Sequence, residues 1–411
     1  MKLADLVMRG SAAVLAMKER GMLVHRERMH TLYMEAIARA KSLEDSLCRM
    51  VGDPTFNPRS PKMVADLLYT GFGLPEQRKR GQYGRPGNVT TDDDAIMRVC
   101  NVYEDYETKE LKWNGRGDRT IWKIGSTILD CRRSTKLAST YFSLPLDEHD
   151  RFHPEWKIHG TETGRYSCHV HTYPPGKPRS IFVAPPGYKL VVGDLSQIEL
   201  RIMWTLSRDP VGMDIMARGG DAHRETASEI FHKPAGEVTG HERFSAKFVN
   251  FGLPYGRGPE SMAEQHTTIT LDEARHIFDA HHNRFTVLWE WMARNNVFSA
   301  KNRYISNPFG RRRYFSGDVG AAEQDRQTQN FTPQSTAHDI LTHALVDIHD
   351  NLSDRCFPVF DHHDALGMEV SKEGLSDTVT QIRAAFETPR IPGLITPCEI
   401  KVLDNWGEAK R

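Results

Sequence analysis

Two aspartates far apart in number each stand where an apolar run of the sequence stops. Val191 to Arg201 reads as a strand that delivers Asp194 to its end and then turns into a helix of alternating polar and apolar residues. Val359 to Val370 is apolar on both sides of a polar middle, the pattern of a hairpin whose turn carries chemistry, with Asp364 at that turn. Two carboxylates fixed on neighbouring backbone suit a pair of divalent metals roughly 3.5 to 4 Å apart, which stabilises the attacking and leaving oxygens of a phosphoryl transfer. These residue types in this setting point to nucleotide chemistry. Between them lies His241 to Gly256, in which Arg243, Lys247, Phe251 and Tyr255 recur every fourth residue. On a helix they share one stripe that drifts by about 40° per step. Two cations followed by two rings suit a nucleoside triphosphate laid lengthwise, cations on the phosphates and rings on sugar and base. The plainer alternative, rings in the core and cations in solvent, leaves the neighbouring aspartates without a purpose.

These residues need elements to hold them. Residues 1 to about 145 read mainly as helices. Ser60-Pro61 opens one with a cap and a first-turn proline, and Gly71 closes it. Thr91 followed by Asp92, Asp93 and Asp94 starts another. A long helix from about Arg119 to Phe142 buries Trp122, Ile128, Leu129 and Leu137, leaving Lys123, Arg132, Arg133 and Lys136 as a basic face for solvent or a phosphate backbone. From about 150 to 205 the chain is loop and strand, and 206 to 325 returns to helices. The last stretch gives a helix from Thr336 to Asp350, the Asp364 hairpin and a terminal strand near Cys398 to Leu403. The order predicts an α+β core sheet with one helical insertion before it and one inside it.

Composition excludes several classes. The chain of 411 residues is 39% hydrophobic, enough for a large core, and no apolar stretch approaches the roughly 20 residues of a spanning helix. Its 54 basic and 54 acidic side chains cancel, so any phosphate-binding surface must be built by local segregation of charge. Six scattered cysteines without a Cys-x-x-Cys pair suggest reduced thiols. His149, His153, His159, His169 and His171 crowd together but lack the spacings of a recognisable metal site.

From about residue 20 to the end, the chain resembles the family A DNA polymerases, the group of bacterial DNA polymerase I and many phage replicative enzymes. Val191 to Arg201 is similar to that family's first palm motif, Arg243 to Gly256 to its fingers helix, and His363-Asp364 to its third motif. Thr163 to Ser167, Asn307 to Phe315, Phe56 to Leu68 and Lys136 to Tyr141 resemble further family segments in the family's order. The resemblance implies a right-hand polymerase fold: a thumb with an N-terminal palm-flanking helix over 1–145, an antiparallel-sheet palm over 146–205 and 326–411, and helical fingers over 206–325.

It also implies site roles. Asp194 and Asp364, with the Leu195 carbonyl, would bind two Mg2+ ions, for which Mn2+ could substitute. Arg243, Lys247, His223 and Gln197 would meet the dNTP, with Lys247 able to protonate pyrophosphate. Glu199 would be a steric gate against the ribose 2′-hydroxyl, closing on Phe251, and Tyr255 would guard the template position. Arg165, Arg326, Asn330, Gln334 and His363 would touch primer or template at the nascent pair, and Lys136, Ser139 and Thr140 would grip the duplex. The implied partners are primer-template DNA and dNTPs, with replication accessory proteins as further candidates, for a monomer in a bacterial or phage-infected host cytoplasm.

Departures from the family pattern are visible. Ala365 replaces an acidic residue, Leu195 a tyrosine and Ser335 a glycine, and His169 to Pro174 replaces an amide-rich string. The thumb resemblance begins so near Met1 that no proofreading exonuclease is expected ahead of it. The alternatives are a single-subunit RNA polymerase, against which Glu199 argues, a catalytically impaired primer-template binding protein motivated by Ala365, and a metal nuclease, which would leave the Arg243–Tyr255 stripe unexplained.

Overall fold

The computed structural model describes residues 1–80, 86–105, 109–252, 255–265, 269–317 and 319–409. They gather into two units, one of Met1–Val24 with Leu146–Arg411 and one of His25–Pro145. The chain starts in the larger unit with α1 (Leu3–Arg20) and a short β1 (Met22–Leu23). The smaller unit follows as α2 (Arg26–Val51), α3 (Pro61–Ala65), β2 (Arg78–Arg80), β3 (Pro86–Val89), α4 (Asp93–Val99), β4 (Val102–Glu104), β5 (Leu111–Trp113) and α5 (Arg119–Lys136).

Its helices start where local chemistry says they should. Ser60 caps α3 by accepting from the Met63 N–H ahead of Pro61, and Asp92 caps α4 by accepting from Ala95. The core of this unit packs Leu47, Phe56, Leu68, Ile96, Ile124 and Ile128. Two features depart from the sequence reading. The antiparallel pairs β2–β3 and β4–β5 interrupt what read as helix; strands this short leave too little periodicity to detect. The basic face of α5 is also smaller than expected. Arg132 turns inward and donates from Nε to the Pro58 carbonyl at 2.8 Å and from Nη1 to that of Thr91 at 2.5 Å, while Arg133 pairs with Glu104 at 2.8 Å. Cations that close loops are not available to a phosphate backbone.

The larger unit resumes with β6 (Arg151–Phe152), β7 (Tyr188–Leu195), α6 (Ile198–Ser207), α7 (Pro210–Arg218), α8 (Ala222–Phe231), α9 (Gly240–Gly252), α10 (Pro259–Gln265), α11 (Leu271–Arg284) and α12 (Thr286–Asn302). It ends with β8 (Tyr304–Ser306), β9 (Arg312–Tyr314), α13 (Ala321–Asn351), β10 (Cys356–His362), β11 (Ala365–Ser371), α14 (Leu375–Glu387) and β12 (Cys398–Leu403). The β8–β9 hairpin breaks a stretch that read as wholly helical, and α13 starts well before Thr336, running straight through Pro333.

The central sheet is antiparallel in the order β10-β11-β7-β12. Successive residues of a strand point to opposite faces. Val191, Leu195, Leu366, Met368, Val370 and Cys398 meet the helices α1, α13 and α14 in one core. Helices α6 to α12 surround a second core that includes Trp204, Ile230, Val249, Phe278, Phe285 and Leu288. On the far side of the sheet from the first core, Glu369 is only 1% exposed. It is neutralised by Arg20 at 2.6 Å and Arg151 at 3.0 Å, as a buried carboxylate requires.

Gly367 has no room for a side chain, because a Cβ there would overlap the buried Phe360 ring. Gly367→Ala should lower the unfolding free energy of the larger unit by about 1–3 kcal/mol. Gly236→Ala, with nothing within 4 Å of the added carbon, should change it by less than about 0.5 kcal/mol. Urea denaturation of both variants checks the pair; equal stabilities would remove the packing constraint on the hairpin.

Candidate active site

The register of β7 against β11 brings the two aspartates to one end of the sheet. Asp194 is the cross-strand partner of Ala365, so Asp364 follows directly from the adjacent strand end. The Leu195 N–H donates to the Asp364 carbonyl at 3.0 Å. His362 and Ala365 close a two-residue turn of His363 and Asp364, and His363 takes the left-handed region with φ of +61°. On its other flank Asp194 is paired with Glu399 of β12. Directly paired residues share a face, so His362, Ala365, Asp194 and Glu399 form a row across the sheet end.

Arg165 joins this end to α6. Its guanidinium pairs with the Glu199 carboxylate and stands 3.5 Å from Asp364. Burial works against its charge, but Glu199 and Asp364 outweigh it and raise the Arg165 pKa above the ordinary value. Arg165 is aimed by the turn before it: Gly164 has φ of +83°, and a Cβ there would run into the Arg311 guanidinium. Arg311 in turn donates to the fully buried Asp339 at 2.6 Å, and Asn307 donates to the same carboxylate at 2.7 Å. The Asn307–Phe315 segment therefore buttresses the Arg165 turn. Glu199 is held by Arg165, and the ring of Phe251, expected as its closing partner, packs against His223 with centroids 5.2 Å apart.

Gln197 also has a left-handed φ, +55°, at the start of α6. Its side chain accepts from the Ala222 N–H at 3.0 Å and donates to Asp221 at 3.4 Å, tying the Asp194 turn to the N-terminus of α8. Asp221, missed in the sequence, caps α8 through the His223 and Arg224 N–H groups and binds Arg243 at 2.7 Å. Burial pushes its pKa up, but the Arg224 N–H and the Arg243 guanidinium outweigh that and hold it below the usual carboxylate range. The cap is legible as Asp221-Ala-His-Arg-Glu, but nothing in sequence spacing announces its partner on α9.

The cation and ring stripe is shorter than expected. Arg243, Lys247 and Phe251 lie on α9, with the Lys247 ammonium 5.6 Å from the Phe251 ring centroid. The helix ends at Gly252, so Tyr255 is beyond it, and Leu253 and Pro254 lie outside the described residues. Tyr255 accepts from the Gln334 side chain at 2.5 Å, which links it to α13. Arg326, also on α13, pairs with Glu323. Asn330 keeps a buried side-chain carbonyl without a hydrogen-bond partner among the described residues. His363 stacks on His171, and His171 binds the buried Asp361 at 2.8 Å. Lys136, Ser139 and Thr140 belong to the other unit. Lys136 ends α5, and Ser139 and Thr140 sit on the wide helical turn Leu137–Tyr141 that continues it. The histidines crowded in sequence do not converge: His153 binds Asp147 at 3.0 Å, His169 packs on Phe152 and Tyr173, and His159 meets Arg311.

The residues at the sheet end fit a hard divalent cation. Mg2+ is held by one or two carboxylates together with water and substrate phosphates, not by a closed protein cage. Two carboxylates at a strand end match that donor set.

A right-hand polymerase fold with an antiparallel-sheet palm is what this architecture defines. The structure is similar to the POL domain of Pol1 from M. smegmatis, solved in complex with DNA primer-template and dNTP, at a TM-score of 0.83 and 23% identity, over 97% of this chain and 70% of that one. Residues 26–408 match the model of DNA polymerase family A, and the chain belongs to that family. It is 28% identical to DNA polymerase I of Rhizobium leguminosarum over 96% of this chain and 39% of that protein. It is 30% identical to that of Pseudomonas aeruginosa over 86% and 38%, and 28% identical to the thermostable DNA polymerase I of Thermus aquaticus over 98% and 48%. The chain thus spans less than half the length of these curated relatives.

Burial pushes the imidazoles of His223 and His281 down to about 3, helped at His223 by Arg243 and Lys247 and opposed by Asp221. An unfolded histidine takes its proton near 6.5. Between those values the unfolded chain binds more protons, so this part of the stability is complete above about pH 6.5 and is lost as pH falls towards 3. Urea midpoints measured across that window should decline more steeply for the wild-type protein than for His281→Gln. Parallel curves would show that His281 is not held neutral.

Proposed function

We propose that the protein is a template-directed DNA polymerase that extends a primer 3′-hydroxyl with dNTPs. The observation that carries this reading is the register that sets Asp194 and Asp364 side by side at an open sheet end. Family membership supports it, as does likeness to a fold solved with primer-template and dNTP.

Two bound Mg2+ ions would lower the pKa of the primer hydroxyl and neutralise the departing pyrophosphate. The chain's own residues supply the rest. Asp194, Asp364 and the Leu195 carbonyl would hold the ions. Arg243, Lys247 and His223, with Gln197 bracing the start of the His223 helix, receive the triphosphate, and Lys247 gives a proton to pyrophosphate. Arg243 exchanges Asp221 for phosphate as it does so. Phe251 and Tyr255 take the base end. Glu199, clamped by Arg165 under the sugar, excludes a 2′-hydroxyl by bulk and by its buried carboxylate. Arg165, Arg326, Asn330, Gln334 and His363 contact the nascent pair, and Lys136, Ser139 and Thr140 the duplex, mostly at phosphate and sugar. Sequence is then read by base pairing alone. The 411 residues are expected to leave a mispaired primer end uncorrected.

Asp194→Asn and Asp364→Asn should each cut primer extension by about 1000-fold or more, equivalent to several kcal/mol of transition-state stabilisation, with duplex affinity unchanged. Extension surviving in either variant would remove that residue from the metal site. Glu199→Ala should lower the preference for dNTP over rNTP, measured as a ratio of kcat/KM, by about tenfold or more. An unaltered ratio would sink the gate.

A further inference from the structure

Behind His223 runs a chain of hydrogen-bonded side chains, buried except for the partly buried Trp289, that the reaction as proposed does not use. The Trp289 indole N–H donates to Nδ1 of His281 at 3.2 Å. Nε2 of His281 meets the Asn250 side-chain oxygen at 3.2 Å. The Asn250 amide nitrogen meets Nδ1 of His223 at 3.1 Å and Oγ of Thr226 at 3.0 Å. The chain joins α12, α11, α9 and α8. His223, Asn250 and His281 are buried, His281 completely.

Each link has one consistent direction. An indole nitrogen only donates, so Nδ1 of His281 must be the bare nitrogen and Nε2 must carry the proton. Nε2–H then donates to the Asn250 oxygen, which fixes which end of the amide is which. The Thr226 hydroxyl donates to the Ala222 carbonyl at 2.7 Å, leaving its oxygen to accept from the Asn250 nitrogen. That nitrogen donates to Nδ1 of His223 as well. His223 is therefore left with its proton on Nε2.

We infer that Asn250, His281 and Trp289 are positioning residues that fix His223 as the neutral Nε2–H tautomer, a preset donor towards the phosphates of an incoming nucleotide. The inference rests on the proposed function for its ligand. A neutral donor suits this place, because Arg243 and Lys247 already bring charge and a third cation would repel them in the empty site. The opposite tautomer would aim a lone pair at an anion. A polar chain that ends in a group unable to accept, the Trp289 indole, works against that inversion.

Long-range proton–nitrogen spectra of the full chain labelled with 15N-histidine read each tautomer without any catalysis. In the wild-type protein His223 should show a bare Nδ1 and a protonated Nε2, and added inorganic tripolyphosphate should shift the Nε2 signal. Asn250→Asp offers His223 only acceptors, so its proton should move to Nδ1 or the ring should become charged. The KM for dNTP should then rise about tenfold, with kcat and duplex affinity changing by less than about threefold. Trp289→Phe, which keeps the ring packing and removes the donor, should make His281 populate both tautomers and raise that KM by a smaller factor. Should Asn250→Asp fail to fold, Trp289→Phe reads the same chain, and an unchanged His281 tautomer with an unchanged KM in that variant would overturn the inference. A wild-type His223 with its proton on Nδ1, or variants with unchanged tautomers and unchanged KM, would overturn the inference. An inactive wild-type protein with the stated tautomers would instead overturn the proposed function.

Discussion

The pairing of β7 with β11 is the constraint on which the rest of the larger unit depends. Side chains alternate across a strand, so a slip of one residue would send Asp194 into the core and an apolar neighbour to the surface. The register is held from both faces. Val191 and Leu195 on one side and Leu366 and Met368 opposite them fill the helix-covered core. On the other face the Phe360 ring occupies the space above Gly367, and Glu369 is clamped by Arg20 and Arg151. A slipped strand would expose the apolar row and strip Glu369 of its arginines, leaving an unpaired buried charge. Specificity for one register thus comes from apolar volume on one face and from charge on the other.

The second determinant is the way charge is stored without a ligand. Two of the site's cations are already engaged with acids, Arg165 with Glu199 and Arg243 with Asp221. Under the proposed function a polyanion would compete with these internal carboxylates, and phosphate binding would be an exchange of partners. The overall neutrality of the chain follows the same logic. Local segregation of charge suffices when each cation is parked against an acid close to its working position.

Much of this was legible in the sequence because it is local. The apolar run ending at Asp194, the hairpin around Asp364, the cap at Ser60-Pro61 and the terminal strand Cys398–Leu403 all follow from patterns within a dozen residues. What was not legible is non-local or too short. The hairpins β2–β3, β4–β5 and β8–β9 have strands of three or four residues, below the length at which alternation can be told from chance. α13 runs on through Pro333, where propensity argues for a break, because burial along its length outweighs the lost hydrogen bond. Arg132 reads as part of a basic face for solvent or a phosphate backbone because its partners, carbonyls of Pro58 and Thr91, leave no trace in side-chain spacing. The same holds for Asp221, Asn250, His281 and Trp289, whose meaning exists only once four helices meet.

Backbone strain shows where the fold gives up stability for geometry. Gln197 and His363 both hold left-handed φ values, and each lies close to one of the two aspartates. A residue other than glycine in that region costs on the order of 1 kcal/mol or more and persists only when its surroundings over-determine it. At Gln197 the over-determination is visible: the side chain is anchored to Ala222 and Asp221, so relaxing the backbone would break the join between the Asp194 turn and α8. At His363 the ring stacks on His171, which is itself fixed by buried Asp361. In both cases a neighbouring residue, one position from Asp364 and three from Asp194, holds the left-handed φ, and neither aspartate does. Strain set one to three residues from the aspartates, and not at them, suits the proposed Mg2+ site, because that ion demands a near-octahedral shell.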